Sequence, residues 1–228
     1  MTANPSPRME WDPAPEQGWV APHIAAEFPG LGIAWVEADV QPGKSTEPVR
    51  RRLRDLSDRF YGSHAIHMRE RPIPWAYRVF FRHIGLDPDA QRTPVEAAAL
   101  DRLVQGGFVS RGPLEDALLV AVVETGVPVW AVDDARLDGP LGLRGARAGE
   151  RLGEGEYAAD LARGRVLVAD AAGPVAILFG EVAPDRRPDR HCRALRLFAV
   201  AVPGVPALHV EEALFGCADA LSDADGPR

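Results

Sequence analysis

Glu124 is the residue whose type and position best suit the recognition of a ligand. It follows an apolar run, residues 118–123, and directly precedes a break in the chain at Gly126 and Pro128. A carboxylate at such a point is either a partly buried recognition group, which needs a hydrogen-bonding partner, or a charge at the end of a helix. The sequence leaves both alternatives open. Glu124 is the second residue of the segment 123–150, and this segment is the part of the chain that points to a function.

Clustered arginines form the second chemically suggestive feature. The formal net charge of −7 argues against a protein that coats nucleic acid by bulk electrostatics, but it leaves room for a local basic face. Guanidinium groups pair readily with phosphate oxygens, although a run of charge is more often a solvated surface. Two clusters are candidates for a phosphate-binding site: first Arg50, Arg51, Arg52 and Arg54; second Arg186, Arg187, Arg190 and Arg193, with His191 among them.

Metal and nucleophile signatures are weak. Cys192 and Cys217 are too few and too far apart for a disulfide framework or a zinc motif. His64 and His67 lie three residues apart but have no third ligand at a zinc-like spacing. The acidic stretch that begins at Asp133 fits an Asx-type turn better than a cation site. No serine has a G-x-S-x-G context and no glycine-rich loop follows a strand, so we predict neither a metal nor another cofactor.

Helical signals dominate the first half of the chain. Residues 1–18 are rich in Pro, Ser and Asn and predict a flexible arm, and residues 19–222 are expected to form one domain, helical up to about residue 125. Thr93, Pro94 and Glu96 carry a capping-box signal. A closing helix should present Leu208, Ala213 and Leu214 to the core. The predicted helices cover residues 48–61, 74–84, 94–106, 114–125 and 207–220.

Short apolar runs separated by Asp, Gly and Pro are typical of strands and dominate the second half. Together with the early helices they predict an α+β fold with a mixed or antiparallel sheet flanked by helices, rather than a repeating βαβ protein. The predicted strands cover residues 31–40, 129–132, 142–144, 165–169, 175–179 and 194–202.

Residues 107–152 resemble the B3/B4 domain of the bacterial phenylalanyl-tRNA synthetase β subunit, which edits tRNA mischarged with tyrosine. In that family a glycine precedes a segment like VDxTNYVxLELGQPxHAFD, and a G-P-I-x-x-R-x-A-x-x-G-E run follows. Residues 166–170 (VLVAD) and 173–180 (GPVAILFG) are similar to the family's LVIAD and GPxAIAGIMGG segments. The first stretch matches without a gap at Gly107, Asp116, Glu124, Gly126, Pro128, Ala131, Asp133, Gly139, Pro140, Arg144, Ala146, Gly149 and Glu150.

The resemblance implies a pocket for an aminoacyl group. Glu124 corresponds to the glutamate that accepts a hydrogen bond from the tyrosine phenol, and Gly107 and Ala146 correspond to small positions that make room for the substrate. Trp130 stands where the family has histidine, and it either narrows the pocket or fills core. Leu119, Val120 and Glu181 also depart from the family pattern, so the identity of the amino acid stays open.

The resemblance further implies a stand-alone trans-editing deacylase that hydrolyses the ester of a mischarged tRNA. Such an ester is already activated, so the site needs to position a water more than it needs a strong nucleophile. The alternatives are a non-catalytic B3/B4 module that binds tRNA or an amino acid, and a protein that retains only the fold. The expected partner is tRNA, with its acceptor end held by the cluster of Arg186, Arg187, Arg190 and Arg193, and we expect no DNA and no membrane. The expected location is the cytoplasm because the sequence shows neither a leader nor a long apolar run.

Overall fold

The computed structural model describes residues 14–60 and 67–222, and it confirms the α+β class. Pro22–Glu27 was not predicted, and the other helices lie within about two residues of their expected positions. The helices of the described chain are α1 (Pro22–Glu27), α2 (Glu47–Arg59), α3 (Pro72–His83), α4 (Pro94–Gln105), α5 (Pro113–Thr125) and α6 (Ala207–Ser222). The strands are β1 (Glu16–Gln17), β2 (Trp19–Val20), β3 (Gly32–Asp39), β4 (Val129–Asp133), β5 (Gly142–Gly145), β6 (Arg151–Leu152), β7 (Ala159–Asp160), β8 (Val166–Ala169), β9 (Pro174–Ile177) and β10 (Ala194–Ala201).

The strands form two four-stranded sheets and one two-stranded ribbon. The first sheet is antiparallel and has the order β1-β3-β10-β4, with Phe198 opposite both Trp35 and Trp130. The second sheet has the order β2-β5-β8-β9 and is mixed, because β2 runs parallel to β5. Strands β6 and β7 form the ribbon. The prediction of mixed or antiparallel sheets is therefore confirmed at the level of fold class.

The chain passes from the first sheet to the second at Gly18. A Cβ atom on Gly18 would lie 2.4 Å from the Leu141 carbonyl oxygen, and one on Gly142 would lie 2.0 Å from the Trp19 ring. Only glycine fits at either point, because real Cβ contacts are much longer. Glu16 and Gln17, which the sequence predicted to belong to the flexible arm, instead pair with β3. Two-residue strands carry no detectable periodicity, so this pairing could not be predicted from the sequence. Residues 1–13 of the predicted arm lie outside the described residues.

Local signals set the helix ends as expected. Thr93 and Glu96 form the predicted capping box at the start of α4. Helices α4 and α5 both end at a glycine in the left-handed region, Gly106 at φ 76° and Gly126 at φ 79°. The prediction for Leu208 is wrong: it is 60% exposed. The buried face of α6 includes Val210, and a position two residues away is turned by about 200° around the helix.

Helix α6 packs on the first sheet, and aromatic side chains fill the space between other elements. Helix α6 packs against α5 and against β3 and β10. On the other side, Phe179 has ring contacts with Tyr77, Phe81 and Trp130 at centroid separations of 5.8, 5.1 and 5.9 Å. Phe179 has a positive φ of 56°, which is unfavourable for a side chain of this size and is held by this packing.

Candidate functional site

Glu124 is a charge at the end of a helix rather than a buried recognition group. Its Oε1 accepts a hydrogen bond of 2.9 Å from Nε of Arg52, and its Oε2 accepts a second one from the same guanidinium. The Glu124 side chain is 28% exposed and that of Arg52 is 35% exposed. The carboxylate therefore joins the C-terminal end of α5 to α2 at the protein surface, which is the second of the two alternatives that the sequence left open.

The other predicted pocket residues lie elsewhere. Gly107 follows α4, and a Cβ placed on it would lie 3.6 Å from Oγ of Ser57 in α2. Trp130 fills core: its ring stacks on Phe198 with centroids 5.7 Å apart. Ala146 is buried in a separate hydrophobic cluster beneath the second sheet. The four residues thus occupy three packing environments, with Gly107 and Glu124 along α2, Trp130 in the main core and Ala146 beside β8.

Three further acids of the resemblance motifs serve the fold. Asp116 is 1% exposed, and it accepts hydrogen bonds from the hydroxyls of Ser45 and Ser110 and from the backbone N–H of Arg111. These bonds fix the loop before α2 and the loop before α5 to one carboxylate. A buried acid whose two oxygens both accept hydrogen bonds from fixed loops is a structural group, because losing a donor would leave a buried acceptor without its partner.

Arg144 and Glu150, the motif residues on either side of Ala146, form an ion pair with each other. The guanidinium donates from Nη1 to Oε2 at 2.7 Å and from Nη2 to Oε1 at 2.6 Å. The backbone N–H of Arg147 donates to the same carboxylate at 2.6 Å, and Gly149 makes the turn at φ 76°. The hydrogen bond from Arg144 is the main reason why the pKa of Glu150 lies below its ordinary value. This pair closes the loop that carries Ala146.

Asp170 ties the β8–β9 turn to the loop before β5. Its Oδ1 accepts from the backbone N–H groups of Ala172 and Gly173, and its Oδ2 accepts from that of Asp138 at 2.9 Å. Arg186 places Nη1 3.3 Å from Oδ2 of this fully buried carboxylate. The first arginine of the predicted RNA-binding cluster is therefore engaged in the fold.

The remaining arginines of that cluster divide into two groups. Arg187 donates to the Val182 carbonyl at 2.9 Å and forms an ion pair of 3.2 Å with Glu181. Arg190 donates to His191, and Arg193 donates to the carbonyls of Arg190 and Cys192. Within residues 14–60 and 67–222, neither Arg190 nor Arg193 forms an ion pair. Arg190 and Arg193, half of the cluster, therefore keep a charge that no acid among the described residues neutralises.

A basic turn lies directly beside Ala146. The N–H of Ala146 donates to the Arg165 carbonyl at 2.8 Å, and the N–H of Gly164 donates to the Ala146 carbonyl at 2.9 Å. Arg163 and Arg165 flank Gly164, both are exposed, and neither forms an ion pair with a described residue. We call Arg163, Gly164 and Arg165 the β7–β8 turn. This turn is not among the candidate sites predicted from the sequence, although an R-G-R pattern before a strand is a signal for it.

A cavity of about 380 Å³ opens next to the β7–β8 turn. Arg163 and Arg165 line it together with His83 and the half-buried Phe28, whose ring meets Phe80 edge-on at 5.6 Å. Glu27 is the carboxylate in the same wall. Two guanidiniums and an aromatic wall suit a ligand that carries phosphates and a planar ring, such as the end of an RNA strand.

His23 stands at the other side of the same turn. A Cβ on Gly145 would lie 3.3 Å from His23 Nε2 and 3.5 Å from the Gly164 carbonyl oxygen. The lack of a side chain at Gly145 therefore lets an exposed imidazole approach the loop that is hydrogen-bonded to the β7–β8 turn. An imidazole in such a position can orient a water molecule and take a proton from it.

Thiol and metal chemistry find no support among the described residues. Burial raises the pKa of Cys192 to about 11 and that of Cys217 to about 12, so both thiols stay protonated near neutral pH. In the part of the chain that the structure describes, no three His, Cys, Asp or Glu side chains are grouped closely enough to hold a metal ion. Asp133 accepts from the N–H of Ala135, as predicted for an Asx-type turn. His64 lies outside the described residues.

No protein-family model matches the chain, and no curated protein sequence is significantly similar to it. Among the described residues, no helix is long and apolar enough to cross a membrane.

Proposed function

We propose that this chain is a stand-alone B3/B4-like module that binds the end of a tRNA at the β7–β8 turn. One observation carries the proposal: Gly164, between two arginines that no described acid neutralises, is hydrogen-bonded to Ala146. Ala146 is the position that the resemblance assigns to the aminoacyl group. A basic turn and the loop that carries the small residue of the resemblance motif are then adjacent, and binding of an aminoacylated RNA end requires such an arrangement.

The charges around the turn are consistent with a local and modest RNA site. Most arginines elsewhere in the described chain are engaged, as Arg52, Arg144, Arg186 and Arg187 show. Two free guanidiniums can neutralise two phosphates of a single strand, which gives a slope of log affinity against log salt of about −1.4. Binding should therefore persist at moderate salt, and the acidic remainder of the protein should repel the RNA body.

The state of the four acids in the resemblance motifs favours binding over catalysis in which one of them takes a proton from water. Glu124 is paired with Arg52, and Asp116, Glu150 and Asp170 are held by structural hydrogen bonds. None of these four carboxylates is available to accept a proton from water. This leaves a B3/B4-like binding module as the function with the better geometric support.

Hydrolysis of a mischarged aminoacyl ester is the second candidate, and the position of His23 favours it. The exposed imidazole lies beside Gly145, next to Ala146 in the same loop, where it can hold a water against the carbonyl carbon of an ester. The bond between the amino acid and the ribose oxygen would break, the water oxygen would bond to the carbonyl carbon, and the ribose oxygen would take up a proton. Arg163 and Arg165 would hold the adjoining phosphates during this step.

The test of binding compares intact tRNA with the same tRNA shortened by its single-stranded 3′ nucleotides. We expect the intact chain to bind the full tRNA at least tenfold more tightly than the shortened one. Equal affinities would show that the RNA end is not recognised and would overturn the proposal.

The test of hydrolysis is the release of labelled amino acid from a panel of mischarged tRNAs. We expect His23→Gln to abolish any release and Glu124→Ala to leave it unchanged. Release that survives in His23→Gln rules out the imidazole as the base. Retention of every amino acid on tRNA that still binds would reject the second candidate and leave the first intact.

A further inference from the structure

Strand β3 has an open edge beyond the short strand β1. On the side of β3 away from β10, the only described residues that pair with it are Glu16 and Gln17, opposite Trp35 and Ala34. The Gly18 N–H donates to the Ile33 carbonyl at 2.8 Å on this side. Backbone groups alternate along a strand, so the N–H and C=O of Glu37 and Asp39 point to the same side. The described residues place no strand there, and two donors and two acceptors are left for a further strand.

The opposite edge confirms this alternation. The Val40 N–H donates to the Arg193 carbonyl at 2.8 Å, so the even-numbered residues of β3 face β10. Residues with odd numbers therefore face outward along the whole strand. An open edge of this kind is where extended segments of other proteins add to a sheet.

A groove of about 570 Å³ runs along this edge, between β3 and the C-terminal half of α6. Its apolar floor is made by Val36 and Ala38 from the strand and by Phe215, Ala218 and Leu221 from the helix. Val36 and Ala38 alternate along β3 with Glu37 and Asp39, whose backbone groups point outward. The apolar floor and the open backbone groups therefore belong to the same stretch of the strand. The groove can therefore take every second side chain of an added strand.

The rim of the groove is acidic. Glu16, Glu37, Asp39 and Asp219 all line it. Within the described ranges Glu16, Asp39 and Asp219 form no ion pair, and Glu37 has one long contact of 3.9 Å with Arg196. The C-terminal end of α6 at Ser222 also borders the groove and adds the negative pole of the helix. A cationic ligand would therefore complement the negative charge of this rim.

We propose that the groove binds an extended segment of another protein in which basic and apolar residues alternate. The segment adds to β3 as an antiparallel strand, which is the orientation of each neighbour in this sheet. Its basic side chains lie opposite Glu37 and Asp39, and its apolar side chains pack on Val36 and Ala38. This interaction is independent of RNA binding, because none of its residues lies at the β7–β8 turn.

The direct test uses a fluorescent hexapeptide of alternating lysine and valine, blocked at both ends, with the full chain. We expect it to bind at least tenfold more tightly than a glutamate–valine hexapeptide and than a peptide with three lysines followed by three valines. Equal binding of the lysine–valine peptide and of the peptide with three lysines followed by three valines would mean that the groove recognises charge alone. That result would overturn the proposal of strand addition.

N-methylation separates the backbone contribution from the charge. In the proposed register the lysine N–H groups point to β3 and the valine N–H groups point to solvent. Methylation of the lysine nitrogens should weaken binding about tenfold, and methylation of the valine nitrogens should leave it within twofold. The opposite order would refute the register.

Variants of the protein test the rim. Asp39→Lys combined with Asp219→Lys should lower affinity for the lysine–valine peptide at least tenfold and raise it for the glutamate–valine peptide. Glu156→Lys, an exposed change outside the groove, is the matched control and should have no effect. Thermal unfolding of each variant shows that the fold is intact. A groove variant that folds and binds as the wild type does would contradict the proposal.

Removal of residues 1–13 tests the remaining occupant, the chain itself. Unchanged affinity for the peptide supports a separate partner. A gain of tenfold or more would identify these residues as the occupant of the groove and would overturn the proposal.

Discussion

The Arg144 guanidinium and the Glu150 carboxylate form a two-pronged ion pair across the loop that carries Ala146, with N–O distances of 2.6 and 2.7 Å. Their side chains are only 9% and 18% exposed, so both charges depend on each other. The pair places Ala146 against the β7–β8 turn. Arg144 and Glu150 belong to the motif that the sequence suggests for recognition. Their role is to set the shape of the loop that carries Ala146.

Glu150→Gln should therefore destabilise the protein. It leaves Arg144 with a neutral partner in a nearly buried site, and we expect a loss of about 2–4 kcal/mol in the free energy of unfolding, measured with urea. Glu181→Gln removes the acid of an exposed ion pair with Arg187 and is the matched control, with an expected loss below about 1 kcal/mol. Equal losses in the two variants would show that burial of the first pair does not matter.

The same pair predicts a pH dependence. The folded protein holds the pKa of Glu150 below its ordinary value of 4.5. Its contribution to stability is then complete above the ordinary pKa and is lost as pH falls through the lower folded value. The stability difference between the wild type and Glu150→Gln should be constant from pH 7 to about 5.5 and shrink below about pH 4.5. A difference that grows on acidification would reverse the sign and reject this account.

Gly142 tests the crossing between the sheets. Gly142→Ala forces a methyl group into the Trp19 ring, and we expect a loss of about 3 kcal/mol. Trp19→Ala in the same chain should recover part of this loss, because the clash is removed. Gly216→Ala is the control: nothing lies within 4 Å of its Cβ position in the middle of α6, so it should stabilise by about 0.5–1 kcal/mol. Failure of Trp19→Ala to recover stability would place the strain elsewhere.

Glu124 should matter little to either stability or RNA binding. Its ion pair with Arg52 is partly exposed, so Glu124→Gln should cost less than about 1 kcal/mol. Its affinity for tRNA should equal that of the wild type. A tenfold loss of tRNA affinity would restore Glu124 as a recognition group and count against the β7–β8 turn.

The helix ends and the longer strands were predicted correctly, because they are determined by residues close together in the sequence. Thr93 and Glu96 mark the start of α4, and Gly126 marks the end of α5, because caps and left-handed glycines act within a few residues. The strands β4, β8 and β10 were found because each is long enough to show an apolar run. The pairing of Glu16 with Trp35 was not, since two residues carry no pattern.

The candidate site was harder to predict, because its residues are joined by contacts between distant segments. The Glu124 carboxylate is engaged by Arg52, which lies 72 residues away in the sequence. Arg186 has the same type as Arg163, but only the fold shows that Asp170 engages the first and that no described acid engages the second. Residue type and spacing alone therefore suggest the right kind of chemistry and leave its location open.

The central claim is that the β7–β8 turn holds the end of an RNA, and the affinity of Arg163→Ala/Arg165→Ala for tRNA tests it most directly. Arg187→Ala, which removes an exposed arginine paired with Glu181, is the matched control. We predict a loss of at least tenfold in the double variant, a flatter salt dependence by about 1.4 in the log–log slope, and no change beyond twofold in the control. A double variant that folds, binds tRNA like the wild type and keeps the same salt slope would contradict the claim.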